Sequence, residues 1–341
     1  MLEKLDDISW KELRHAYGSA EDVPGQIRNL LSPDQKTRKQ ARWQLYGNIF
    51  HQGSRYEASP YAVPFLYELI QSEDTPERVE LILMLVHLAL GYEESFLPEG
   101  LDISTYRQSL KKAEEQLSEE QRKENLLYGH SLSALIDVYD EVKKGLPILY
   151  KLLDHADVEI AKVASYVLAW FPEEASTSIS QILRKVPGIE DELHLCAAIL
   201  SLGMLERTSD EKSNLDYRAY LNDDSLFVST AAAIALAKKP LEPDVLQVLI
   251  KSLSQKKELE GRDVSYFNDG DLPGYLSLVL ATYGAAEKEK ILPILCDTLA
   301  SVNAYESLDI TQSMLMILNE NREVSIGKEA VEKLTTLEKK C

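Results

Sequence analysis

The chain has 341 residues, 45% of them hydrophobic and 27% charged, the make-up of a folding globular chain rather than of a disordered, collagen-like or disulfide-scaffold one. Its 56 Asp and Glu against 37 Lys and Arg give a net charge of -19, which argues against a general nucleic-acid or anionic-membrane surface, because both need a positive field. Cys196, Cys296 and Cys341 are too few and too scattered for a disulfide framework, and residues 1–18 lack the apolar core of a secretory signal, so a cytoplasmic location is expected. The longest apolar stretch, Leu81 to Leu90, is about half the roughly 20 residues that a spanning helix needs.

Apolar residues recur at i, i+3, i+4 and i+7 along nearly the whole chain, with almost no period-2 runs, so it reads as all-α. In chain order the pattern predicts helix pairs at 23–51, 60–91, 102–142, 145–171, 176–207, 213–238, 242–284 and 287–319. Residues 1–22 and 320–341 read as terminal caps around one domain. The third pair, 101–142, is long and charged and reads as a solvated helical hairpin. The seventh contains a long connection, Gln255 to Leu272, rich in Gly, Asp and Asn.

A repeat underlies this series. Asp is followed seven residues later by Ala at Asp34/Ala41, Asp157/Ala164, Asp191/Ala198 and Asp224/Ala231. Asp157, Asp191 and Asp224 are spaced by 34 and 33 residues, a period typical of helical repeats. Asp at a helix start accepts from orphan N–H groups and complements the dipole, and Ala lets a neighbouring helix approach. A second signal, apolar-Pro-apolar-Leu, recurs around Pro64, Pro147 and Pro293.

On these Pro and Asp positions the chain resembles a HEAT or armadillo-type α-solenoid over most of residues 23–319. The segment Leu45 to Leu69 is similar to a group of bacterial HEAT-repeat proteins. The resemblance implies a right-handed α-solenoid of about seven to eight antiparallel helix pairs, with function sought on a concave surface lined by the second helices. One departure from the family pattern is that no regular basic residue follows each Asp. Lys39 and Lys162 are only partial substitutes, which puts a regular Asp–Arg ladder in doubt.

Within the first pair, 100° per residue puts Lys39, Trp43, Tyr46 and Phe50 on the face opposite Ala41 and Leu45, with Arg38 and Arg42 adjacent. This stripe reads either as aromatics packed under the N-terminal cap or as a partner groove, since aromatic and Arg side chains favour interface hot spots. The connection that follows contains His51, Gln52, Gly53, Arg55 and Tyr56. It reads either as a self-packed loop or as a binding loop in which Gly53 takes a positive φ, Arg55 meets an anion and Tyr56 stacks or donates. The candidate binding residues are therefore Arg38, Arg42, Trp43, Tyr46, His51, Gln52, Arg55 and Tyr56.

No catalytic residue, metal or cofactor is assigned. The six histidines are dispersed, and His194 and Cys196 lie roughly 200° apart on a helix. Asn268 to Asp271 fails as an EF-hand, because residues 265, 267 and 276 lack the required ligands. Residues 1–60 hold nine Lys and Arg against eight Asp and Glu, a net of +1, whereas 28 cations and 48 carboxylates leave the rest at -20. The expected function is a non-enzymatic protein-binding scaffold or adaptor whose partner is a protein, and the acidic body suits a basic one. The alternatives are an acidic inhibitor or immunity-type protein that neutralises a basic enzyme such as a nuclease, and a HEAT-like enzyme of the DNA glycosylase or bilin-lyase kind acting at the first repeat.

Overall fold

A computed structural model of the chain describes residues 1–127, 132–259, 266–304 and 307–319. His130, Cys341, the cap at 320–341 and residues 260–265 of the predicted long connection lie outside the described residues. The chain is all-α and built from successive helix pairs, as an α-solenoid is. Its contacts cluster into two compact units, one of residues 1–95 and 101–181, the other of residues 96–100 and 182–341.

The first unit contains α1 (Val23–Asn29), α2 (Gln35–Ile49), α3 (Ser59–Gln71), α4 (Arg78–Leu90), α5 (Ile103–Gln116), α6 (Glu119–Leu127), α7 (Leu132–Lys144), α8 (Leu146–Leu152) and α9 (Val158–Leu168). Neighbours in sequence pack as pairs: α1 on α2, α3 on α4 and α8 on α9. Asp34 caps α2 by accepting from the Thr37 N–H at 2.9 Å, and Asp157 caps α9 by accepting from that of Glu159 at 3.0 Å. The face predicted to be buried on α2 is buried, with Ala41 and Leu45 almost fully enclosed. Pro147 sits in the first turn of α8, where its missing N–H costs no helical bond, whereas Pro64 lies inside α3.

The segment 101–142 is not one solvated hairpin. Only α5 and α6 have that character. In α7 the residues Ala134, Val138, Tyr139 and Val142 are buried at helical spacing, and the helix packs on both α3 and α4. Tyr67 of α3 donates from its hydroxyl to the Val142 carbonyl at 2.7 Å, and its ring lies so close to Gly145 that a Cβ there would meet it at 2.0 Å.

The N-terminal cap is not helical throughout. Two short 3-10 turns, Glu3–Asp7 and Trp10–Glu12, lead into a hairpin of β1 (Arg14–His15) and β2 (Gly18–Ser19). The Trp10 indole is buried, donates to the Leu5 carbonyl at 2.7 Å and lies 6.4 Å from the Phe65 ring, ring centre to ring centre. A second hairpin joins β3 (Phe50–His51) to β4 (Ser54–Arg55). Its turn residues Gln52 and Gly53 have φ of 50° and 80°, the positive values that tight two-residue turns favour.

The second unit contains α11 (Glu192–Thr208), α12 (Leu226–Leu236), α13 (Pro243–Ser254), α14 (Leu272–Gly284), α15 (Lys288–Leu299) and α16 (Ser307–Asn319), and the division between units falls within α10 (Ala175–Lys185). Asp191 caps α11, accepting from the His194 N–H at 2.8 Å. The fourth Asp of the repeat does not cap. Ser225, one residue later, is the N-cap of α12, and its hydroxyl also donates to Glu192 at 2.6 Å. Gly203 on α11 faces Ala235 so closely that an added Cβ would meet the Ala235 Cα at 2.9 Å, the small-residue approach expected of stacked helices. Every residue of α14 is buried, which fits a sequence without a charged face. Residues 96–100 belong here: the Pro98 carbonyl accepts from Arg207 at 2.6 Å, and Glu99 accepts from the Tyr283 hydroxyl at 2.8 Å. Among the described residues no helix is long and apolar enough to cross a membrane.

Candidate functional site

The sequence-predicted residues are drawn to different tasks. Arg42 donates to Glu77 at 2.7 Å, and Arg38 reaches the same carboxylate at 3.4 Å while also donating to the Ser32 carbonyl at 2.9 Å. Glu77 stands just before α4, so these two arginines tie the first pair to the second. Tyr46 lies 3.2 Å from His87 Nδ1 on α4, with its ring against Phe50 at 4.7 Å. Much of the aromatic stripe is thus covered by the next pair.

In the hairpin connection, Arg55 is only 4% exposed and Tyr56 only 3%. Arg55 donates to the Gly53 carbonyl and, at 3.3 Å, to the Tyr106 hydroxyl, and its guanidinium packs against Gly91. Burial pushes the pKa of Arg55 down and that of Tyr56 up. Both side chains belong to the interior of the fold. Gln52 forms the turn. His51 lies 3.2 Å from the Tyr17 hydroxyl, with the rings edge to face at 5.3 Å.

Of the stripe's aromatic residues only Trp43 is open, 77% exposed. It lines a recess of about 450 Å³ together with residues of β1, β2, α1 and α2. Asp22 organises that recess: it accepts from Gln26 at 2.8 Å and Asn48 at 3.0 Å, and His15 Nε2 is 2.9 Å from it. The Tyr17 N–H donates to His15 Nδ1 at 3.0 Å.

A larger groove of about 1410 Å³ opens in the same unit, bounded by the N-terminal cap, the start of α3 and one side of α7. Its floor is apolar, formed by Ile8, Leu13, Pro60, Tyr61, Pro64 and Phe65, and its walls carry six carboxylates against four cations. Three of those cations are already engaged. Arg107 forms a two-pronged pair with Asp140 at 2.6 and 3.1 Å, Lys143 lies 2.9 Å from Glu173, and Lys144 pairs with Glu141. Asp7, Glu12, Glu57 and Asp137 remain without an ion-pair partner among the described residues, and the groove's fourth cation is Lys4. Partial burial, aided by Asp140, Glu141 and Glu114 nearby and opposed by Lys144, pushes the pKa of Asp137 up.

Sequence reasoning missed this groove because its walls come from residues about 50 and then about 75 positions apart in the chain, and no local pattern links them. Among the described residues, no group of three or more His, Cys, Asp or Glu is placed to hold a metal ion. Cys196 and Cys296 are both buried.

No family model matches the sequence, and no curated protein matches it. Among solved structures, the chain is similar to an engineered protein at 17% identity, covering 93% of this chain and 82% of that one with a TM-score of 0.29. It is also similar to a designed armadillo repeat protein at 18% identity, covering 86% of this chain and 99% of that one with a TM-score of 0.30.

Proposed function

We propose that the protein is a non-enzymatic binding module whose acidic groove takes a basic segment of another protein. The observation that supports this most directly is the set of four carboxylates, Asp7, Glu12, Glu57 and Asp137, standing unpaired around an apolar floor. Apolar contact supplies area, while the unmatched charge selects the sign of the partner and steers its approach. The partly exposed Tyr61 on the floor is the aromatic anchor that such interfaces favour.

The test is a photo-crosslinking residue placed at Tyr61, with the same residue at Tyr220 of the second unit as control. The reading expects a crosslink from position 61 to a Lys/Arg-rich stretch of one protein, lost when Asp137→Lys is added. Crosslinks to acidic segments, or equal yields from both positions, would contradict it. The charge of -20 over residues 61–341 also favours an inhibitor of a basic enzyme as the form this binding takes. Loss of the partner's activity at one equivalent of added protein separates that role from an adaptor's.

A further inference from the structure

The recess beside Trp43 differs from the groove in two respects. Its lining has no Lys or Arg: its ionisable residues are Glu21, Asp22, His15 and Tyr17. It also contains an unspent acceptor. Gln26 is more than nine-tenths buried, its Nε2 donates to Asp22, and its Oε1 has no hydrogen-bond partner. A buried amide oxygen left bare costs about 1–3 kcal/mol, so a donor arriving there is rewarded. Glu21 is exposed and pairs with no cation among the described residues, and two exposed aromatics, Trp43 at 77% and Tyr17 at 69%, flank the opening. Tyr17 is steadied by His51, which gives that sequence-predicted residue a positioning role.

We infer that this recess binds the guanidinium of an arginine side chain of a basic protein partner, lying against Trp43 and Tyr17 and donating to Gln26 Oε1 and the Glu21 and Asp22 carboxylates. The chemistry selects arginine over lysine. Guanidinium is planar, stacks on aromatic faces, is weakly hydrated and offers five donors in a fixed fork, whereas an ammonium is a compact, strongly hydrated point charge. A planar cation between aromatic faces, with acceptors on one side, uses each of those properties. An anionic ligand is disfavoured by Glu21 and Asp22, and a neutral one leaves their charge unanswered. The assignment of a protein as the source rests on the function proposed above; the recognition of the guanidinium does not.

The test follows the Trp43 indole N–H resonance in ¹⁵N-labelled protein during titration with three capped tripeptides, Gly-Arg-Gly, Gly-Lys-Gly and Gly-citrulline-Gly, and with agmatine. Trp10 and Trp170 are buried and serve as internal references. The expected result is saturable movement of the Trp43 signal with the arginine peptide, at least about tenfold weaker binding of the citrulline peptide because the charge is lost while the shape is kept, and intermediate binding of lysine. Glu21→Gln, an exposed change, is expected to weaken the arginine peptide several-fold. Trp43→Ala, followed through the other shifted resonances, is expected to abolish saturation. Equal binding of arginine and citrulline peptides, no saturation at millimolar peptide, or an unchanged response in Trp43→Ala would overturn the guanidinium assignment. Tighter binding of agmatine than of the peptide would overturn a protein as its source. Asp137→Lys is expected to leave these titrations unchanged, so failure here and failure of the groove are separately visible.

Discussion

Replacing Asp191 or Asp224 by Ala separates a helix start that is capped by an aspartate from one that is not. Asp191 and Asp224 occupy equivalent places in the 33-residue spacing, yet only Asp191 accepts a helix-start N–H, at 2.8 Å. Removing a cap of this kind costs about 1 kcal/mol, and the lost charge at the dipole's positive end adds about 0.3–1 kcal/mol. Asp191→Ala is therefore expected to cost about 1–2 kcal/mol, a fall in Tm of roughly 2–8 °C at about 2–4 °C per kcal/mol for a unit of this size. Asp224→Ala removes an exposed carboxylate with no cap to lose and is expected to stay within about 0.5 kcal/mol. For Ser225→Ala the cap bond is long, 3.5 Å to the Val228 N–H, but the donation to Glu192 goes with it, so about 1 kcal/mol is expected. Differential scanning calorimetry of the three variants measures the order. A cost for Asp224→Ala equal to that of Asp191→Ala would show that the sequence repeat, not the structure, marks the true cap.

Three further outcomes follow from the first unit. Gly145→Ala drives a methyl into the Tyr67 ring and is expected to cost about 1–3 kcal/mol in urea unfolding, despite the helix-start position; a cost at least about halved when the same change is made in a Tyr67→Leu background checks the cause. Arg55→Ala with Tyr56→Ala is expected to lower stability by more than about 2 kcal/mol, since both side chains are buried; tryptophan fluorescence during urea unfolding reads it, and an unshifted midpoint would return them to the surface. Asp137 has a raised pKa in the folded state, so its charge opposes folding above that pKa, and the penalty fades as pH falls toward the unfolded carboxylate value. Asp137→Asn should thus raise Tm at pH 7, show no gain below about pH 3.8, and weaken capture of a basic partner. A lower Tm at pH 7 would mean that an unrecognised bond holds this carboxylate.

What was legible in the sequence was what is local. The helix pairs emerge from a period carried by each segment alone, and Asp34, Asp157 and Asp191 act within three residues of themselves. The same locality misled at Asp224, where Ser225 is an equally good cap one position on. The β1–β2 and β3–β4 hairpins are two residues per strand, too short to show an alternation. On α2 the helical face was read correctly as far as Trp43, which is exposed opposite buried Ala41 and Leu45. Arg38, Arg42 and Tyr46 on the flanks were claimed by Glu77 and His87, about 35–40 residues away, and a single helix gives no sign of that. The acidic groove was hidden for the same reason: Asp137 is one carboxylate among 56 until α7 sets it across from Glu57 and the N-terminal cap.

The claim at the centre is that the groove, rather than diffuse negative charge, holds the partner. The measurement that tests it compares affinity for the crosslinked basic segment in Asp137→Lys and Asp224→Lys, two exposed substitutions with the same change in net charge. A groove-borne interaction predicts at least about a tenfold loss for the first and less than about a twofold loss for the second; equal losses would contradict it.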